Sequence, residues 1–367
     1  MIKNILVTGA SGYIGSVLTP MLLKGGYKVF ALDRFFFGDN LKNHKNLIKI
    51  YQDTRNLKSK DFKNIHAVID LAAISNDPSG EFFKKETRDI NFKARLNCAK
   101  LAKKNNVKRY ILPSSCSIYG FNKNLVDEKS GINPLTTYAK ANYMAEKYIM
   151  LLANKKFCVS ILRQATIFGY SPRMRYDLAI NGMTEGAFSS KKLPIMRDGK
   201  QIRPMLHVKD TCRALIFFLK KDSKIINKEI FNVGSKICTV SIKQLANKVK
   251  KNIKNLKLEW YGNKDNRSYN VNFNKIEKIG FKIKYDLDYG IKEMIKHLKK
   301  SKKNTKSIKT ITLEWYKLLE ELSPYILNSQ INSKMVKKFW KFFYLDLQVN
   351  WEATYLENYQ SLINLKF

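Results

Sequence analysis

Over the first 170 residues, short apolar runs alternate with stretches whose apolar residues recur at helical spacing. NILVTG (4–9), KVFALD (28–33), LIKIYQD (47–53), AVIDLAA (67–73), RYILPSS (109–115) and FCVSILRQ (157–164) predict strands, and residues 13–25, 85–105 and 137–154 predict helices. Strand and helix in alternation indicate βαβ units. The strands are apolar nearly throughout, the mark of a parallel sheet covered by helices on both faces. The expected fold class is α/β, a doubly wound parallel sheet.

Beyond residue 170 the rhythm changes, and Pro172, Pro194 and Pro204 separate shorter elements. Residues 171–300 are expected to form a smaller α/β domain for substrate, except that LHVKDTCRALIFFL (206–219) predicts a return to the first domain over about 204–220. The lysine-rich KKSKKNTKSIKT (299–310) reads as an exposed linker to a helical extension, 301–367. Within that extension KMVKKFWKFFY (334–344) sorts its lysines and its aromatic residues onto opposite arcs of a helix. Packing on the chain's own domain or on a dimer partner is the favoured expectation, ahead of an acidic membrane surface.

Glycines at 9, 12 and 15 in LVTGASGYIG fall between the first strand and the first helix. There they allow a tight turn around Tyr13 and Ile14, with backbone N–H groups facing a pyrophosphate at the helix N-terminus. Asp33 ends the second strand, where a carboxylate can accept the ribose hydroxyls of NAD. Arg34 could pair with the 2′-phosphate of NADP, but Asp33 would repel that phosphate, so NAD is expected.

The formal net charge of +38 admits anionic partners. Lysine, asparagine and isoleucine are abundant throughout and the lysines are dispersed, so the charge reads as compositional bias, and nucleic acid is not an expected partner. Five scattered cysteines with no C-x-x-C pair indicate reduced thiols and no metal site, and the N-terminus lacks a signal-peptide layout, so a cytoplasmic protein is expected.

TGASGYIG, DLAA (70–73), SSCSIYG (114–120) and YAKAN, in that order, resemble the extended short-chain dehydrogenase/reductases, and within them the nucleotide-sugar epimerases and dehydratases, over about residues 1–300. The resemblance implies a Rossmann domain with Asp53 and Thr54 at the adenine, Leu71, Ala72 and Ala73 along the diphosphate and ribose, and Asn91 touching the NAD. It makes Tyr138 the base and Ser115 the hydroxyl partner in hydride removal from a sugar carbon. An unperturbed tyrosine ionises near pH ~10, so a base at neutral pH needs positive charge beside it. In the family a lysine one helical turn after the tyrosine supplies it. Here that place holds Asn142, which could still hydrogen-bond the nicotinamide ribose but brings no charge, while Lys140 points to another face. Reliance on the nicotinamide charge alone, a lysine from elsewhere, or catalytic silence would each accommodate the asparagine.

On the substrate side, Arg203 in DGKQIRPMLHVKD is expected at the nucleotide diphosphate, with Arg173 and Arg175 of SPRMRYD and Arg267 of DNRSYNV as further candidates. Ser75, Asn76, Ser117 and Asp177 are expected near the sugar, and His207 is expected to make a structural hydrogen bond. Cys116 and Ser117 follow Ser115 where a dehydratase usually carries carboxyl groups. Epimerisation or oxidation at one carbon, by a homodimer acting on a nucleotide-diphosphate sugar, is therefore expected ahead of dehydration. A dehydratase and a non-catalytic dinucleotide-binding scaffold are the alternatives.

Overall fold

The computed structural model describes residues 2–262, 269–300 and 307–322. Arg267 and the 334–344 pattern lie outside the described residues. A seven-stranded, all-parallel sheet is built from β1 (Asn4–Thr8), β2 (Lys28–Asp33), β3 (Leu47–Tyr51), β4 (Ala67–Asp70), β5 (Arg109–Ser115), β6 (Cys158–Gln164) and β7 (Glu229–Val233). Its order is β7-β6-β5-β4-β1-β2-β3. Ile5 pairs with Val29 on one side and Ala67 on the other, so the chain's direction of travel across the sheet reverses at β1. Ligands of open parallel sheets collect at the carboxyl ends of the strands beside such a switch point.

Ile5, Leu6, Val7 and Ile69 are inaccessible to solvent, as expected of strands covered on both faces. One apolar layer contains Leu18, Leu22, Cys212 and Phe218, the other Phe62, Ala99, Tyr110 and Ile149. A third cluster, with Ile180, Leu193, Leu245 and Ile291, is separate from these two. Beyond the central sheet there are short strands at Thr166–Phe168, Ile202–His207 and Thr239–Ser241, and a parallel pair from Lys192–Met196 and Lys257–Tyr261.

Helices α1 (Gly15–Lys24), α2 (Asp77–Phe82), α3 (Arg95–Lys104), α4 (Thr137–Met150), α5 (Val208–Lys220) and α6 (Thr312–Leu322) position the site. Three features differ from expectation. The helix predicted over 85–105 is interrupted by a wide π turn at Asp89–Ala94, and α3 begins only at Arg95. The strand Ile202–His207 pairs with Thr166–Phe168 in a small separate sheet, and the chain re-enters the central sheet through β7, inside the stretch expected to belong to the second domain. Finally α6, at the start of the expected extension, is part of the first domain's core: Trp315 and Leu319 are fully buried with Phe35, Phe36 and Phe83.

Candidate active site

A cavity of about 1100 Å³ runs from the glycine turn, past the ends of β4 and β5, to the strand carrying Arg203. Gly9 (φ 65°) is in the left-handed region, and a Cβ there would sit 2.9 Å from the Ala72 nitrogen. A Cβ on Gly15 would meet the Gly9 carbonyl at 2.3 Å. Both positions therefore require glycine to bring turn, β4 and α1 together. Gly12, Ile14, Leu71, Ala72, Ala73 and Thr54 line the same end of the cavity. Tyr13 lines it too, but its hydroxyl donates to the Gly169 carbonyl at 2.6 Å and accepts from the Asn181 amide, and burial pushes its ionisation far up. It ties the turn to the second domain.

Asp33 accepts N–H bonds from Ser11 (2.9 Å) and Phe35 (2.7 Å), one on each oxygen. Burial pushes its carboxyl above the usual range, and these two bonds work against that push. Arg34 stacks over the Phe36 ring at 3.8 Å and lies 3.2 Å from Asp53, which Arg55 also grips at 2.7 Å. Burial opposes charge on Asp53, but the two guanidiniums outweigh it and hold the carboxyl below its ordinary value. The carboxylate expected near adenine is thus committed to arginines, and Arg34 to it.

Ser115 ends β5 and Tyr138 stands in the first turn of α4, whose N-cap is Thr136. Both side chains line the cavity wall; the Ser115 hydroxyl accepts from the Ser117 N–H at 3.1 Å and acts to lower the ionisation of Tyr138. A Cβ on Gly80 would lie 3.0 Å from the Tyr138 Cβ, so the glycine lets α2 press the tyrosine into place. Burial raises the Tyr138 hydroxyl above its usual value, with Arg95 as the foremost charge opposing that rise. Cys116 is fully buried and its thiol donates to the Arg163 carbonyl, so it offers the cavity no acid or base.

Two residues expected at the cofactor are engaged elsewhere. Asn91, inside the π turn, is fully buried, and its carboxamide both accepts from and donates to the Ile74 backbone. It pins the loop after β4, since leaving that buried backbone unpaired would be costly. Asn142 is 1% exposed; its amide nitrogen donates to the Tyr138 carbonyl at 2.9 Å and its oxygen accepts from Arg95 at 2.7 Å. The carboxamide is satisfied within the protein, and Lys140 is exposed on another face of α4.

Toward the second domain, Arg175 grips Asp177 through two bonds (3.0 and 2.8 Å) and donates to the Ser75 hydroxyl at 3.0 Å. Asn76 donates to Asp177 at 2.8 Å while capping α2. Burial opposes charge on Asp177, but Arg175 prevails and holds it near pKa about 2. Arg173 lies over the Phe37 ring at 3.7 Å and donates to Thr312 at 3.0 Å, and burial pushes its guanidinium down to about 9. Its Nε and Nη1 are buried without a hydrogen-bond acceptor. Arg203 lines the far end near Tyr269, and Gln201, Gln164 and Ser117 also line the cavity, Gln164 paired with Ser115 across β5 and β6. His207 is fully buried and bonded to Glu293 at 3.0 Å, the structural role expected for it.

Sequence reasoning missed Arg95, because the π turn that aims it at the cavity has no periodic signature. It also missed Tyr316 and Ile311, which line the cavity from the C-terminal segment and lie beyond the stretch carrying the family motifs. Among the described residues no cluster of side chains is arranged to hold a metal ion.

An anionic dinucleotide suits this end of the cavity. The two glycines of the turn fit only without a Cβ, and Arg173 keeps two buried N–H-bearing nitrogens without acceptors. The family model of the NAD dependent epimerase/dehydratase family matches residues 5–234. A putative UDP-glucose 4-epimerase of Methanocaldococcus jannaschii is 27% identical, over 80% of this chain and 98% of its own. A UDP-glucuronate 4-epimerase of Thermodesulfobacterium geofontis is 28% identical, over 83% and 98%. The solved structure of MoeE5 in complex with UDP-glucuronic acid and NAD superposes with a TM-score of 0.73 at 25% identity, covering 81% of this chain and 99% of that one. The chain therefore belongs to the NAD dependent epimerase/dehydratase family, and is an enzyme whose cofactor is NAD.

Proposed function

We propose that this enzyme epimerises a nucleotide-diphosphate sugar, with UDP-sugars the first class to try, since the relatives above are named for them. The observation that carries the reading is the Ser115–Tyr138 hydroxyl pair, placed in one continuous cavity between the glycine turn and Arg203. NAD, when bound, supplies the hydride acceptor and donor. Gly9, Gly12, Asp33, Leu71, Ala72, Ala73 and Arg173 are the residues that would hold it.

Tyr138 as tyrosinate takes the proton of the sugar hydroxyl, and Ser115 donates a hydrogen bond to the oxygen as it becomes a carbonyl. Tyr138 then returns the proton to that oxygen; with the hydride also given back, to the opposite face of the carbon, the sugar would leave inverted there and with no net change in oxidation. Arg203 and the network of Arg175, Asp177, Ser75 and Asn76 form the substrate half. Ser117 Oγ, Gln164 Oε1 and both polar atoms of Gln201 are buried in that wall without partners, as suits a wall that awaits a polyhydroxyl ligand. Because Cys116 is turned away and Ser117 is no acid, elimination of water lacks its usual carboxyl groups at this point.

A reducing cytoplasm is part of the same reading, supported by five free, buried thiols. Homodimer assembly and a role in polysaccharide synthesis also belong to it, on the resemblance alone. The test is incubation with UDP-, dTDP-, GDP- and CDP-sugars, followed by chromatography and mass spectrometry. A new epimer of unchanged mass is expected. Loss of one water would make the enzyme a dehydratase, and no turnover of any nucleotide sugar would overturn the reading.

A further inference from the structure

Tyr138 is half-buried at the cavity wall, and desolvation alone would leave its hydroxyl protonated at neutral pH. A tyrosinate here needs a fixed cation close by. The foremost charged side chains acting on Tyr138 are Arg95 at the head of α3, Asp77 in α2 and Arg175. Asp77 works in the wrong direction, and its carboxylate accepts from the Thr136 hydroxyl at 2.6 Å. Arg175 is cancelled by its two bonds to Asp177. Glu81 accepts from the Thr137 backbone N–H at the start of α4.

Arg95 is different. It is 4% exposed, lines the cavity, and its two hydrogen-bond acceptors, the Ala72 carbonyl (3.1 Å) and the Asn142 carboxamide (2.7 Å), are both uncharged. The Asp70 carboxylate nearby is taken by the hydroxyls of Thr8 and Tyr110. Keeping a buried cation without a bonded counter-ion is costly for stability. Such a charge is well placed to act on an anion that forms during reaction.

We propose that Arg95 is the positioning residue that activates Tyr138: its buried guanidinium, held against α4 by Asn142, supplies the positive charge that favours the tyrosinate. This rests on Tyr138 being the base. It gives Asn142 a definite task, because a neutral acceptor orients the guanidinium where a lysine would repel it. Asn142→Lys alone therefore sets two cations against each other, and a lysine at 142 can serve only when Arg95 is gone.

The test is the ionisation of Tyr138 in the full chain, followed by NMR of tyrosines isotope-labelled at Cζ, with and without added NAD. The Tyr138 signal is the one that Tyr138→Phe removes. Arg95→Gln, which keeps a donor but no charge, is expected to raise the Tyr138 midpoint by about one to two pH units. Arg95→Lys is expected to stay within about half a unit of the native value. Arg95→Gln combined with Asn142→Lys is expected to bring the midpoint back down. An unmoved midpoint in Arg95→Gln, or equal shifts in the glutamine and lysine variants, overturns the proposal. If Arg95→Gln does not fold, as judged by circular dichroism, Arg95→Lys decides, and a rise of a unit or more in that variant overturns it. The titration needs no substrate. A chain inert to every nucleotide sugar overturns only the proposed reaction, and an active chain with an unmoved midpoint overturns only the role of Arg95.

Discussion

The indole N–H of Trp315 donates to the carbonyl of Phe36 across 2.8 Å, joining α6 to the loop that follows β2. That loop carries the Arg34–Phe36 stack, and the next residue after Trp315, Tyr316, lines the cavity. Thr312 in the same helix receives Arg173. The segment 307–322, which lies past the matched family region, thus forms part of the cavity wall beside Arg34 and Arg173.

The wall should slow cofactor exchange. Trp315→Ala is expected to destabilise the protein by about 3–5 kcal/mol through the cavity it leaves. Trp315→Phe, which keeps most of the ring and loses the N–H, should cost about 1 kcal/mol. Both should raise the rate of NAD release, the alanine variant about ten-fold or more. Stopped-flow displacement of bound NAD measures this, and an unchanged release rate in Trp315→Ala would show that the helix is a structural prop only.

Asp33 and Arg34 together are expected to set the choice of dinucleotide. Arg34 is held by Asp53 and stacked on Phe36, so its charge is not presented alone to a 2′-phosphate, whereas Asp33 stands at the cavity wall. Asp33→Asn removes the repulsion and keeps the shape. It is expected to weaken NAD and strengthen NADP, narrowing the ratio of their Kd values by about ten-fold or more. Calorimetric titration of both cofactors decides this. A ratio that does not move would take Asp33 out of the recognition.

The parallel sheet and its phosphate turn were legible because both leave local signals: apolar runs such as ILV at 5–7, and glycines demanded by close backbone approach. Ser115 and Tyr138 were legible as a motif, since strand end and helix start bring them together in a way that spacing records. Arg95 was not, because its contact with Asn142 spans 47 positions and depends on the π turn before it. Asn91 has the right residue type in the right helix, yet its carboxamide is used by Ile74. The same limit explains α6: Trp315 finds Phe36 at a separation of 279 residues, and no local pattern encodes that.

The hydroxyl pair is expected to make unequal contributions to turnover. Tyr138→Phe keeps the packing against Gly80 but removes the proton acceptor, and turnover is expected to fall about 10²–10⁴-fold with bound NAD retained. Ser115→Ala removes one donor to the developing carbonyl and should cost about 10²–10³-fold. Single-turnover reduction of bound NAD by a nucleotide sugar measures both. Tyr138→Phe with undiminished reduction would mean that another group takes the proton.

Glu293 should make the protein sensitive to acid. It reaches His207 at 3.0 Å and also pairs with Lys209, and although burial opposes its charge these two hold its pKa down to about 2. An unfolded glutamate ionises near pH ~4.3. A depressed folded pKa contributes stability that is complete above the unfolded value and is lost as pH falls through the folded one, so the window is roughly pH 5 to 2. The loss from this residue is on the order of 2–3 kcal/mol. Asp177, also held near about 2, titrates in the same window. Thermal melts between pH 7 and pH ~3 should therefore show a falling Tm. In Glu293→Gln the native state starts less stable but falls less steeply, because one of the two carboxylates no longer protonates. Parallel slopes for the two proteins would mean that Glu293 is not held down by His207 and Lys209.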